Sequence, residues 1–209
     1  YWRIPMLVDA IVDRMNQVPN LRLLVVTKPV DEWTDPGCEW THATHQQLLA
    51  AFPSRYRVYQ PRAFDTVVVC EFCFDETESR FQDMDIHSKL LIVDDKFLSV
   101  GSANKNNRGA VYEGELNVAV VDANWVRAAR RRVMANMLPP GTPETDVVSR
   151  WWQDFADAAT WNDNVWDNWD AEGFDLNLGD GTDPLPASYQ PSGFVYSLGF
   201  RTVNDCFIE

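Results

Sequence analysis

The sequence predicts a layered α/β domain that ends near residue 138 and is followed by an acidic extension. Two observations carry this expectation. Segments of helical and strand periodicity follow one another in the order helix, strand, helix, several strands, helix. Beyond Pro139-Pro140-Gly141 the composition then shifts toward Asp, Asn and Trp. The expected division is therefore 1–138 and 139–209.

Ile4, Leu7, Val8, Ile11, Val12 and Met15 recur at helical spacing, and Pro5 suits a first turn. Val18-Pro19-Asn20 ends that helix, and Leu21–Thr27 is a continuous apolar strand of the kind buried between layers. The stretch Lys28–Glu39, with two prolines and a glycine, reads as a loop. Thr41 or Thr44 then caps a helix through about Phe52. Tyr56–Gln60 and Thr66–Phe74 read as strands, and Asp75–Asp85 as a polar loop. Ile86–Val93 and Phe97–Gly101 are strands joined by the tight turn Asp94-Asp95-Lys96. Glu115–Val121 is a further strand, and Asn124–Leu138 a helix capped by Asp122 or Asn124. In the extension, Thr142–Ala159 suits one more helix. Trp161, Trp166 and Trp169 follow among Asp and Asn, before a stretch rich in Gly, Pro and Ser.

Bulk composition narrows the partners. With 45% hydrophobic and 23% charged residues the chain has an ordinary globular balance. No apolar run approaches the roughly 18 residues that span a bilayer. The net charge of −13 is concentrated in residues 151–209, which hold eleven acids against Arg201 alone. An acidic chain repels polyanions, so nucleic acid is not expected as a partner. A solvated acidic face that keeps a secreted protein soluble accounts for the charge.

Cys70 and Cys73 form a CxxC inside a predicted strand, where positions three apart face opposite ways, so neither a mutual disulfide nor a shared metal is favoured. Cys38 and Cys206 sit in loop-like or terminal stretches where disulfides tether chains, which fits an oxidising compartment. The pairing of the four is left open.

The chemistry is concentrated between residues 87 and 115. His87 and Lys89, two apart in a strand, leave the same face of a sheet, and Ser102 and Asn104 repeat that relation at the end of the next strand. Paired as a hairpin, those strands bring an imidazole, an ammonium, a hydroxyl and an amide toward one spot. Such a set suits a phosphate: lysine supplies charge, Ser102 and Asn104 donate to nonbridging oxygens, and Gly101 permits close backbone approach. Histidine can attack phosphorus or pass a proton to a leaving oxygen near neutral pH. Glu115 opens the following strand, where a carboxylate could hold the other ring nitrogen of His87. Asp94, in the turn, suits fold support or charge balance and not substrate contact.

The pattern His87-x-Lys89-x4-Asp94-x6-Gly101-Ser102-x-Asn104 resembles the HKD signature of the phospholipase D superfamily, with every named position filled. Gly-Ser-Ala-Asn-Lys-Asn-Asn-Arg at 101–108 and Glu-Leu-Asn-Val at 115–118 resemble the stretch that follows it. The resemblance covers about residues 4–138. It implies a phospholipase D-like α/β sandwich, a mixed sheet flanked by helices, with one HKD half here and a C-terminal extension. It implies no metal and no cofactor: one histidine attacks the phosphodiester to give a phosphohistidine, and a second protonates the departing alcohol. Water or another alcohol completes the exchange. The catalytic set carried over is His87, Lys89, Asp94 and Glu115, with Ser102 and Asn104 binding substrate.

The family's site needs two motifs and this chain has one. His42 and His45 lack a lysine two residues on, and both are expected on a helix surface. Two arrangements follow: the C-terminal half of a two-motif, bacterial-type secreted enzyme whose N-terminal half is cleaved or separate, or two copies about a twofold axis. The first is preferred because Tyr1 opens the chain without an initiator Met and the tail is long. His87 would then be general acid, then base.

Phospholipid such as phosphatidylcholine, met at a membrane interface, is the expected substrate. The tail's carboxylates and tryptophans could frame a quaternary ammonium, pack as a clamp, or anchor at the headgroup level. A nucleic-acid phosphodiesterase, a lipid-joining transferase and an inert binding half are the alternatives. Arg130-Arg131-Arg132 reads as a solvated helix face.

Overall fold

A computed structural model describes residues 4–33, 40–68, 76–106, 108–177 and 184–203. Cys38, Cys70, Cys73 and Cys206 all lie outside them, and with them the expectations about disulfides. The fold is mixed α/β and divides into two compact units that do not follow chain order. One comprises residues 1–59, 86–130 and 198–209, the other 60–85 and 131–197.

In the first unit α1 (Pro5–Gln17) begins with proline at its first turn, as expected where an N–H would go unpaired anyway. Strand β1 (Leu23–Val26) runs parallel to the opening of β3 (Tyr56–Val68), with Leu23 opposite Tyr56 and Val26 opposite Tyr59. The core of this unit is Met15 of α1, Leu48 of α2 (Trp40–Ala51), Phe52, Tyr56 and Val58, closed by Ile11, Leu23 and Leu49. Within the segment expected as a loop, Val30–Trp33 forms β2, paired in parallel with a strand at Phe200–Val203.

The same unit holds an antiparallel sheet of β5 (Lys89–Val93), β6 (Phe97–Gly101) and β7 (Asn117–Val120). Asp94 and Asp95 have φ of 51° and 54°, and the Lys96 N–H donates to the Val93 carbonyl at 3.0 Å. These are the two left-handed residues of a type I′ hairpin turn, which aspartate tolerates. Helix α3 (Ala123–Ala135) is capped by Asp122, whose carboxylate accepts the N–H groups of Asn124 and Trp125.

In the second unit, the later part of β3 pairs antiparallel with β4 (Glu76–Asp83), Phe64 opposite Phe81, and β4 pairs with β8 (Asp175–Asn177). The strand expected at 56–60 and the beginning of the one expected at 66–74 are thus one strand over 56–68, residues 69–74 lying outside the described ones, and most of the expected loop at 75–85 is β4. Its alternation is real but polar: Thr77 and Ser79 are buried while Arg80 and Gln82 are exposed. Helix α4 (Val148–Ala171) is longer than expected and takes in the tryptophans read as a separate stretch. It buries Trp152, Phe155, Ala158, Asn162, Val165 and Trp169, a stripe at helical period. Gly173, at φ 67°, ends it, and the Phe174 N–H donates to the Trp169 carbonyl at 2.7 Å.

Candidate active site

Register puts the motif at one end of the three-stranded sheet. Lys89, the first residue of β5, lies opposite Gly101, the last of β6, and Gly101 lies opposite Asn117, the first of β7. The segments bearing His87, Ser102, Asn104 and Glu115 therefore all leave the sheet at that end. The turn with Asp94 is at the other, about 13 Å along the strand at the usual rise. Asp94 is exposed. The acid that ties this turn to its unit is Asp95, which accepts two hydrogen bonds from Arg130 at 2.5 and 2.8 Å and faces Arg127 at 3.7 Å.

Gly101 is where a side chain cannot be accommodated. A Cβ there would collide with the Asn117 amide oxygen and the Leu116 carbonyl, and would stand 2.6 Å from the Asn117 Cα. Glycine lets β6 and β7 close at the site end.

Ser102 is fixed by its neighbours across that junction. Its N–H donates to the Leu116 carbonyl at 3.1 Å, its Oγ accepts the Leu116 N–H at 3.1 Å, and its hydroxyl donates to the Glu115 carboxylate. Glu115, expected behind the His87 ring, thus engages Ser102. His87 precedes β5 instead of lying within it, so the expected strand Ile86–Val93 is shorter by three residues and only Lys89 is on the sheet. The His87 carbonyl accepts the Lys89 ammonium at 2.6 Å, while its ring is exposed and has no hydrogen-bond partner among the described residues.

Three residues that reading the motif alone overlooked hold the loop after β6. The Asn106 side chain accepts the Gly109 N–H at 2.8 Å, and its carbonyl accepts the Ala110 N–H at 3.0 Å. A Cβ on Gly109 would stand 2.7 Å from the Asn104 carbonyl oxygen, so glycine lets the turn pack against Asn104. Asn117 accepts the Ala103 N–H at 3.4 Å. The run of small and amide residues from 101 to 109 was the available signal.

His45 is not on a surface. It is 1% exposed and hydrogen-bonded through Nδ1 to the Tyr56 hydroxyl. Burial lowers its pKa to about 4 and pushes that of Tyr56 up, so both are neutral core groups at pH 7. The arginine run also divides: Arg130 is buried on Asp95, whereas Arg131 pairs with half-exposed Asp146 at 2.6 Å. Two of the tail tryptophans are packing residues. Trp169 is fully buried, and Trp166 lies against Phe81 and Phe174 with the Arg62 guanidinium 4.0 Å from its ring centre. The cation that Trp166 meets is the protein's own. Among the described residues no three His, Cys, Asp or Glu side chains cluster to hold a metal ion.

The register thus brings the segments that bear an ammonium, an imidazole, an amide and a carboxylate-bound hydroxyl to one sheet end. Residues 56–136 match the family described as "Cardiolipin synthase, PLD-like domain". That match, to 81 of the 209 residues, supports a phospholipase D superfamily member and suggests phosphodiesterase activity in general. No curated protein matches the sequence.

Proposed function

We propose that this chain supplies one half of a phospholipase D-type active site that cleaves glycerophospholipids such as phosphatidylcholine. The observation that supports it is the departure of the His87, Ser102, Asn104 and Glu115 segments from the same end of the β5–β7 sheet, beside Lys89. A second HKD half, on a separate or cleaved N-terminal chain or on a second copy, brings the other histidine. That histidine attacks phosphorus, and the bond to the alcohol oxygen breaks as His87 gives it a proton. His87 then takes a proton from water, whose oxygen attacks phosphorus and breaks the P–N bond, freeing the other histidine and releasing the phosphate monoester. Lys89, Ser102 and Asn104 hold the nonbridging oxygens, where charge builds in the transition state. Extending β5 back by two residues on assembly puts His87 on the Lys89 face and within the reach expected of Glu115. Residues 1–138 form the catalytic half in this reading, which fits a secreted enzyme working at a membrane interface.

The test is choline release and alcohol exchange on phosphatidylcholine vesicles, with every polypeptide of the purified enzyme present. His87→Asn should lower turnover about a thousandfold or more without changing the melting temperature. Unchanged turnover would remove His87 from the chemistry, and cleavage of DNA without lipid would reverse the substrate class.

A lipid-joining transferase is the second reading, supported by the family model's description as a cardiolipin synthase domain. It predicts that a lipid alcohol outcompetes water as acceptor in the same assay.

A further inference from the structure

The second unit contains a cleft of about 570 Å³ that none of the motif residues lines. One wall is a face of α4: Arg150, Asp154, Asp157 and Trp161 follow one another at helical spacing and all border it. The other walls include Pro139, Pro143 and Pro191.

The indole of Trp161 is held rigidly yet open. Its N–H donates to the Gln190 carbonyl at 3.0 Å while 45% of the residue remains exposed. The charged groups beside it are only partly used. Arg150 forms an ion pair with Asp154, Nε to Oδ1 at 3.1 Å, and its side chain is largely exposed. Asp157 accepts from Gln153 through one oxygen, at 2.8 Å. Asp154 is nine-tenths buried, and its second oxygen has no hydrogen-bond partner among the described residues. An acceptor in that state costs free energy until a donor reaches it.

These features exclude the simplest ligands in turn. An anion would meet two carboxylates, and an organic cation would meet Arg150. A neutral ligand rich in hydroxyl groups suits both signs at once, because each hydroxyl can donate to a carboxylate and accept from a guanidinium. The flat apolar face of a fixed indole takes the C–H face of a saturated ring, while the prolines shape the apolar side of the cleft. We propose that this cleft is a carbohydrate-binding site. It seats a pyranose ring on Trp161, with ring hydroxyls bonded to Arg150, Asp154 and Asp157. The sugar reaches it as a free glycan or as the headgroup of a glycolipid.

The experiment is a titration of the full chain with galactose, glucose, maltose and cellobiose, read at the indole N–H resonance of Trp161. Trp161→Phe supplies the assignment. At least one sugar should shift that resonance with an affinity on the order of millimolar, and Asp154→Asn and Arg150→Met should each weaken binding about tenfold or more. Circular dichroism and melting temperature confirm that the variants are folded. Vesicles carrying a galactolipid, compared with plain phosphatidylcholine vesicles and free galactose, separate the two sources. His87→Asn should leave sugar binding unchanged, so the outcome is independent of the proposed phosphodiesterase reading. No shift with any of the sugars, or a shift with ethanolamine or inorganic phosphate and none with sugar, would overturn the proposal.

Discussion

The β5–β7 sheet and helix α4 bury apolar side chains to very different extents. On the sheet, Leu90, Val100 and Val118 lie side by side across the three strands and remain 37%, 42% and 58% exposed. On α4, Trp152, Phe155, Val165 and Trp169 are 5% exposed or less. The order of the sheet therefore rests mainly on its backbone ladder, its type I′ turn and close approach at Gly101. The order of α4 rests on side-chain burial and a few polar anchors. The sheet that bears the motif is held by backbone geometry here, and α4 by packing.

That contrast is sharpest at one residue from each region. Gly101→Val forces β6 away from β7 and should cost about 4 kcal/mol in urea unfolding, at the upper end for overpacking. A cost below about 1 kcal/mol would mean that Gly101 does not face Asn117 as described. Asn162 is the counterpart on α4. It is fully buried, donating to the Ser192 and Val195 carbonyls at 3.0 and 2.9 Å and accepting the Ser192 N–H at 2.7 Å. Asn162→Ala strands three backbone groups and should cost about 3 kcal/mol. Hydrogen exchange should then rise over residues 192–197 and not over β5–β7; a uniform rise would break the contrast.

The core of the first unit adds a pH-dependent contribution through His45. His45 has its folded pKa lowered to about 4 by burial, against an ordinary imidazole value of 6.5. Between those values the unfolded chain binds the extra proton, so stability is present above pH 6.5 and is lost as pH falls toward 4. About 2 kcal/mol should disappear between pH 7.5 and 5, as measured by urea midpoints. In His45→Gln that part of the slope should be absent, and its persistence would assign the loss to other groups.

The arginine run gives the smallest effects and grades them by burial. Arg130→Ala leaves Asp95 with only the distant Arg127 and should cost about 2 kcal/mol. Arg131→Ala, on a partly exposed pair, should cost less than about 1 kcal/mol. Equal costs for the two would remove the distinction between a buried tie to the hairpin turn and a surface pair.

Much of this was legible because its causes are local. Pro5 at a helix start, Asp122 before α3 and the consecutive aspartates of the β5–β6 turn act through a few neighbouring atoms. The shared sheet end of the segments bearing His87, Lys89, Ser102 and Asn104 was legible for the same reason, because it follows from pairing two neighbouring strands as a hairpin. Strand β4 was missed because its inward residues are Thr77 and Ser79, whose polarity hides the alternation. The burial of His45 and Arg130 was missed because each depends on a partner distant in sequence, Tyr56 for one and Asp95 for the other.

By itself, the order of residues determined the α/β class, the hairpin and the motif, since turn chemistry and strand periodicity are properties of short segments. Tertiary structure alone decided that Glu115 takes Ser102 and that α4 turns Trp152, Trp166 and Trp169 inward and Trp161 toward an open cleft. Those outcomes depend on which surfaces meet in space, and a helix period fixes the faces without naming what each will touch.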